Sequence, residues 1–196
     1  AQQDDRLSPV TVVAPSNYAS LSLRHQLARR AALVNVRFVA FNRLAELLGG
    51  PALNRELRPL TPWIRAEAVR AALSAHIRET SESTFAAVGG HVATVQSLET
   101  TFRDLREASE STLNKLASGG RRAAEVVSIF RRYKVLITGR YYDDADLAHA
   151  AAAIVRTGSP ALKEFGRVVI YLPRDLSAAE AGLVRALGEA GLVTVI

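Results

Sequence analysis

The sequence contains no cysteine, and this absence removes several kinds of site at once. Without thiols the chain has no disulfide framework, no thiolate nucleophile and no sulfur ligand for a metal. The four histidines are scattered without ligand spacing, so no metal site is predicted. No apolar run approaches the roughly 18 residues that a helix needs to cross a bilayer. No signal segment opens the chain either, and we therefore expect a soluble cytoplasmic protein without a membrane partner.

Glycine and lysine are missing from the N-terminal part of the sequence. The first glycine is Gly49 and the first lysine is Lys115. A phosphate-binding Walker loop uses glycines, whose backbone N–H groups wrap the phosphates, together with a lysine and a Ser or Thr. The first strand of this chain is therefore not followed by an ordinary Walker loop.

The composition is that of a folded protein with a basic charge balance. A chain of 196 residues suffices for one domain with an insertion, and its 48% hydrophobic residues argue against disorder. The net charge of +6 permits an anionic partner, of which nucleic acid is the first candidate. The alternative is a general compositional bias, because the basic residues are almost all arginine and alanine is abundant.

The first part of the chain predicts a strand, a helix and a second strand. Val10–Ala14 is an apolar run typical of a buried parallel strand, and Val34–Ala40 alternates as a strand does. Between them, Ala19–Ala32 has helical periodicity with Leu21, Leu23, Leu27, Ala28 and Ala31 on the predicted inner face. A helix at Phe41–Leu48 follows, and Gly49, Gly50 and Pro51 are expected to end it.

From Pro59 to about Thr157 the sequence predicts only helices. Thr61 is placed to cap the first of them, with Pro62 in its first turn, and Ser109 or Ser111 to cap a later one. The predicted segments are Trp63–Glu79, Val92–Ala108, a short helix ending at Leu116 and Arg122–Thr138, with a loop at Ser81–Gly90.

The α/β pattern then returns. Val168–Leu172 and Leu192–Ile196 predict strands, separated by a helix that opens with the capping box Ser177–Glu180. The expected fold is α/β, a parallel sheet with helices on both faces, built from residues 8–51 and 158–196. An all-helical insertion occupies residues 52–157. Because the chain starts without Met and stops within a strand pattern, we expect it to be a fragment of a longer protein.

Four segments resemble motifs of the first RecA-like domain of superfamily 1 DNA helicases of the UvrD/RecB kind. On the opening segment, which includes Ser16, the phosphate-loop pattern puts Pro15, Asn17 and Ala19 where glycines belong. It also puts Ser20 at the lysine position and Leu21 at the Ser/Thr position. Every functional side chain of that loop is therefore replaced.

The other three segments match helicase motifs in their position along the chain, but their side chains also differ from those of an active helicase. Ala40-Phe41-Asn42 lies where the helicases have a Thr-Phe-His-like turn, and Tyr142–Leu147 is similar to the acidic helix start before their Walker B strand. In that start, Asp143, Asp144 and Asp146 suit a helix dipole better than a metal. The strand Val168–Leu172 would end in Asp-Glu in an active helicase, but here the matching residues are Leu172, Pro173, Arg174 and Asp175.

The arrangement is most similar to the B subunits of AddAB-type helicase-nucleases, whose helicase half is often degenerate. The resemblance implies a non-catalytic helicase-like domain that needs no cofactor, with the helical insertion in the place of the helicase subdomain called 1B. The whole protein would then be a subunit of an ATP-dependent exonuclease or helicase that processes DNA double-strand breaks. It implies two partners, single-stranded or forked DNA held through its backbone and a second helicase-nuclease subunit. The candidate DNA contacts are Asn42, Arg43, Arg121, Arg122, Arg131 and Arg132.

Three alternatives remain open on the sequence alone. The arginines of the insertion can equally be solvated faces of amphipathic helices. The loop from Pro15 to Ser20 can still bind a nucleotide through backbone N–H groups at a helix N-terminus, as an atypical ATPase would. The chain can also be a regulator whose helical insertion binds another protein.

Overall fold

The computed structural model describes residues 7–171 and 176–196. Its helices and strands follow in chain order. They are β1 (Val10–Ala14), α1 (Asn17–Ala28), β2 (Val36–Ala40), α2 (Phe41–Leu53), β3 (Arg58–Pro59), α3 (Pro62–Glu79), α4 (Val92–Leu105), α5 (Glu110–Ala117), α6 (Arg121–Ile137), β4 (Tyr141–Tyr142), α7 (Asp144–Arg156), a 3₁₀ helix (Pro160–Glu164), β5 (Arg167–Ile170), α8 (Ala178–Glu189) and β6 (Val193–Val195). These elements form two compact units, one comprising the chain up to Arg55 with Asp144–Ile196 and the other comprising Glu56–Asp143.

The first unit is built on a four-stranded parallel sheet in the order β2-β1-β5-β6. β1 lies inside the sheet and all five of its residues are buried, as its apolar sequence predicts. The β1-to-β2 and β5-to-β6 connections run in opposite directions across the sheet. Because parallel crossovers are right-handed, α1 and α8 lie on opposite faces. The prediction of an α/β fold with a parallel sheet is confirmed.

Helix α1 differs from its predicted packing. Ser20 is its only buried residue, whereas Leu21 is 52% exposed and Leu27 is 36% exposed. The predicted inner face was therefore wrong at Leu21, Leu27, Ala28 and Ala31, all of which are exposed, and Ala31 lies beyond the end of the helix. The helix contacts β1 and β2, and Tyr18, Leu21, Leu27 and Ala28 are exposed to solvent.

The prediction that Gly49, Gly50 and Pro51 end α2 was also wrong. The helix runs through Pro51 to Leu53, and the N–H of Asn54 closes its last turn on the Gly50 carbonyl. Pro51 lacks an N–H and therefore removes one backbone hydrogen bond from the helix. Gly49 instead serves helix packing, since a Cβ there would lie 2.5 Å from the Leu147 carbonyl oxygen of α7.

Helix α7 belongs to the first unit, whereas the sequence boundary placed it in the insertion. Its apolar face packs against α2 and α8 of that unit. The buried residues of this face are Leu147, Ala148, Ala151, Ala152 and Val155. The acidic residues at 143–146 predicted a helix start here, but the sequence could not indicate which unit would cover the apolar face of this helix.

The second unit has its own hydrophobic core between α3, α4, α5 and α6. Val69, Leu73, Phe102, Leu113 and Phe130 are among its most deeply buried side chains. Phe102 and Phe130 approach with ring centroids 5.3 Å apart, in a tilted arrangement that suits their quadrupoles. The two-residue strands β3 and β4 pair in parallel in a segment that was predicted to be helical throughout.

The predicted helix caps are confirmed. Thr61 and Ser109 accept hydrogen bonds from the N–H groups of Ile64 and Thr112, at 3.4 and 3.1 Å. At α8 the Ser177 hydroxyl accepts from the Glu180 N–H while the Glu180 carboxylate accepts from the Ser177 N–H, which is a complete capping box. No helix in the described part of the chain is both long and apolar enough to span a membrane.

Candidate functional site

The topology of the sheet indicates a candidate ligand position at the carboxyl ends of β1 and β5. These two strands are neighbours, and the chain leaves them in opposite directions, toward β2 and toward β6. Ligands of open parallel sheets bind outside the strand ends at such a point. The segment after β1, which the sequence also selected, lies at this edge of the first unit.

The connection from β1 to α1 is too short to wrap a phosphate. Only Pro15 and Ser16 separate the strand from the helix, and neither is a glycine. Ser16 caps α1, its hydroxyl accepting the Ala19 N–H at 3.1 Å. One of the backbone donors that an anion would need is therefore already engaged by the protein itself.

Asn17 and Ser20 lie on the helix rather than in a loop. Asn17 is exposed in the first turn of α1. Ser20, at the position of the Walker lysine, is only 7% exposed, and its hydroxyl has no hydrogen-bond partner among the described residues. A short buried hydroxyl of this kind does not supply the reach or the charge of a lysine toward a phosphate.

Asn42 and Arg43 lie at the same sheet edge as Ser16. β1 and β2 are in register, with Ala14 beside Ala40, so the turns that follow them are neighbours. The Asn42 side-chain oxygen accepts the Arg43 N–H at 2.8 Å, and Arg43 pairs with Glu46 at 2.7 Å. This pair is about half exposed, so Arg43 can exchange Glu46 for an external anion at little cost.

The four candidate arginines of α6 belong to the second unit, and three of them form ion pairs. Arg121 interacts with Glu82 and Glu125, Arg131 with Glu110, and Arg132 with both oxygens of Glu79. The hydrogen bond from Arg132 lowers the pKa of Glu79. Arg122 is exposed and has no acidic partner in the described part of the chain.

Part of the acidic segment at the start of α7 is held in an ion pair with an arginine. Asp143 accepts a hydrogen bond from Arg106 Nε at 2.7 Å in a pair that is mostly buried. Asp144 and Asp146 occupy the first turn of α7, where negative charge stabilises a helix. In residues 7–171 and 176–196 no group of three or more His, Asp or Glu side chains is arranged to hold a metal. The degenerate strand end Leu172, Pro173, Arg174 and Asp175 lies outside the described residues.

Sequence reasoning missed a buried polar cluster in the second unit. Glu125 of α6 accepts hydrogen bonds from the Ser83 hydroxyl at 2.7 Å and from the Thr84 N–H at 3.0 Å, and His76 Nε2 lies 3.2 Å away. Burial alone would raise the pKa of Glu125, but these hydrogen bonds together lower it to about 2. A signal existed, because Glu125 falls in the same helical stripe as Ile129 and Tyr133.

This cluster is not arranged for nucleophilic catalysis. In a catalytic triad a histidine stands between the serine and the carboxylate and accepts the serine proton. Here the Ser83 hydroxyl donates directly to Oε2 of Glu125, and His76 Nε2 lies near the same oxygen, so the histidine does not stand between the serine and the carboxylate. The hydrogen bonds of the cluster instead hold the turns at 80–91 against α3 and α6.

Comparison with protein-family models and with curated protein sequences finds no match for this chain.

Proposed function

We propose that this chain is a non-catalytic RecA-like domain that binds a DNA strand and serves as a scaffold in a helicase-nuclease that processes double-strand breaks. The observation that carries the proposal is the edge formed by the turns after β1 and β2. It occupies the ligand position of a parallel sheet, yet its β1 turn is two residues long, lacks glycine and is capped by its own Ser16. Such an edge supports backbone contacts to a strand better than nucleotide hydrolysis.

The DNA contacts in this proposal are made by few, exposed groups. In the first unit Asn42 and Arg43 supply an amide and a guanidinium at the sheet edge; separately, in the second unit, Arg122 of α6 supplies a guanidinium with no acidic partner among the described residues. Contacts of this type address phosphates and carry no sequence information. Binding should therefore be weak, insensitive to sequence and strongly dependent on salt.

Fluorescence anisotropy with a labelled single-stranded oligonucleotide and a forked duplex tests the proposal. We expect binding at low salt, and Asn42→Ala with Arg43→Ala should weaken it and reduce the salt slope by about 1. Arg185→Ala is the matched control, since Arg185 is an exposed arginine of α8 away from this edge. No binding at low salt, or equal losses in the control, would contradict DNA binding.

Calorimetric titration with ATP tests the non-catalytic part separately. We expect no binding, because the backbone donors of α1 are partly used and the segment that follows β1 in the sequence contains no lysine before Lys115. Heat of binding that Asn17→Ala or Ser20→Ala diminishes would favour a nucleotide-binding domain with an atypical phosphate loop. Unchanged DNA binding in the same preparation shows that the protein is folded.

A further inference from the structure

Helix α1 exposes large apolar side chains along its solvent side. Tyr18 is 83% exposed and Leu21 is 52% exposed, one helical turn apart. Together with Ser22, His25, Gln26 and Arg29 they line a shallow groove of about 260 Å³ along the helix. We call these six residues, with the neighbouring Arg24, the α1 surface. Exposed apolar side chains that share a groove are typical of a binding surface.

The same region carries all of the unbalanced charge of the protein. Residues 6–45 contain six arginines and no acidic residue, whereas the rest of the chain has 19 basic and 19 acidic residues. The net charge of +6 is therefore concentrated in the segment that contains α1. A bias in overall composition would not by itself produce so uneven a distribution.

The arginines at and just after α1 differ from several arginines elsewhere in forming no ion pair among the described residues. Arg43, Arg106, Arg121, Arg131 and Arg132 each form an ion pair with a carboxylate. Arg24, Arg29 and Arg30 are exposed and have no acidic partner among the described residues. Their charge is therefore available to carboxylates from outside the chain.

We propose that the α1 surface docks an acidic amphipathic segment of a partner protein, whose apolar side chains contact Tyr18 and Leu21 while its carboxylates pair with Arg24 and Arg29. The inference does not depend on the proposed DNA binding, whose contacts in this unit, Asn42 and Arg43, follow β2 and are not part of the α1 surface. A phosphate backbone would satisfy the arginines but would leave Leu21 without an apolar contact. A second copy of this chain would set arginine against arginine, since the surface has no acidic side chain.

A labelled amphipathic peptide of about 16 residues, with leucines on one helical face and glutamates beside them, is a suitable probe. We expect it to bind by fluorescence anisotropy, and a lysine-for-glutamate version to bind much more weakly. Leu21→Ser and the double variant Arg24→Glu, Arg29→Glu should each weaken binding about tenfold. These side chains are exposed, so the fold should persist, which circular dichroism checks.

Reversing the charges of both the protein surface and the peptide provides the strongest control. The double variant should bind the lysine peptide better than the glutamate peptide, because the direction of the ion pairs has been reversed. Arg185→Glu on α8 changes charge without touching the α1 surface and should leave binding unaltered. Failure to bind the glutamate peptide, or equal binding of both peptides, would overturn the proposal. So would displacement of the peptide by single-stranded DNA or by anionic vesicles at a lower concentration than an unlabelled copy of the peptide requires.

Discussion

A single buried carboxylate organises the least regular part of the second unit. Glu125 receives donors from Ser83, Thr84 and His76 and also lies 3.4 Å from Arg121 Nε. Ionised carboxylates accept stronger hydrogen bonds than neutral ones, so this arrangement stabilises the charged form. The Nδ1 of His76 is buried and has no hydrogen-bond partner within residues 7–171 and 176–196, which offsets part of that stabilisation.

Replacing Glu125 should destabilise the protein and alter its acid sensitivity. Glu125→Gln removes the charge but keeps the size, and we expect a loss of about 3 kcal/mol in the free energy of unfolding at neutral pH. Glu79→Gln is the matched control on an exposed ion pair and should destabilise the protein much less than Glu125→Gln. Urea unfolding followed by circular dichroism measures both. Equal effects would show that the cluster contributes little.

The stability of the protein should decrease as the pH is lowered through the range in which Glu125 takes up a proton. The pKa of Glu125 is about 2 in the folded protein against an ordinary value of 4.5, so its contribution to stability is complete above pH 4.5. That contribution is lost as the pH falls from 4.5 toward 2, because the unfolded chain takes up the proton first. Stability should therefore fall less steeply over this range in Glu125→Gln than in the wild type, and parallel slopes would contradict this assignment.

At the scale of elements, α2 and α7 pack closely together at Gly49. A Cβ at Gly49 would lie 2.5 Å from the Leu147 carbonyl oxygen and 2.9 Å from the Ala151 N, both backbone atoms that cannot move aside alone. A Cβ at the adjacent Gly50 would meet only the side chains of Glu46 and Asn54, at 3.8 and 3.9 Å. Neighbouring glycines of one helix therefore have opposite tolerance for a methyl group.

This difference makes a matched pair of variants. Gly49→Ala must push the two helices apart, and we expect a loss of about 1–3 kcal/mol. Gly50→Ala should be neutral or should gain up to about 1 kcal/mol, because alanine favours the helical backbone. Thermal unfolding of the two variants measures the contrast. A Gly49→Ala variant as stable as wild type would mean that α2 and α7 are not in close contact.

At the scale of the whole molecule, the chain has two units, and the second has a hydrophobic core of its own. The hydrogen bonds of Glu125 lie within the second unit, and the contacts of Gly49 lie within the first. Local opening follows local stability. Each substitution should therefore act mainly on its own unit.

Hydrogen exchange read by mass spectrometry can resolve the two responses. Glu125→Gln should speed exchange in peptides from residues 56–143, and Gly49→Ala should speed it in α2, α7 and α8. Faster exchange throughout the chain in both variants would instead indicate one cooperative unit. The wild type at the same pH and temperature is the reference for both.

The local structure was predictable from sequence because its causes are local. The buried run at β1, the caps at Thr61, Ser109 and Ser177, and the helices of the second unit follow from residue type and spacing. The missing glycines and lysine after β1 likewise predicted that no ordinary phosphate loop would form there. These features depend on a few neighbouring residues, and the fold did not override them.

The tertiary structure alone decided which surfaces those elements cover. Helical periodicity describes an apolar face but not its partner, so it could not show that α7 packs with α2 and α8 or that Leu21 of α1 stays exposed. Two glycines and a proline signal a helix end unless a neighbouring helix needs the space of the missing side chain, as α7 does at Gly49. Likewise, the sequence cannot show that Glu125 meets donors from residues about 40 positions away, because only the folded chain brings them together.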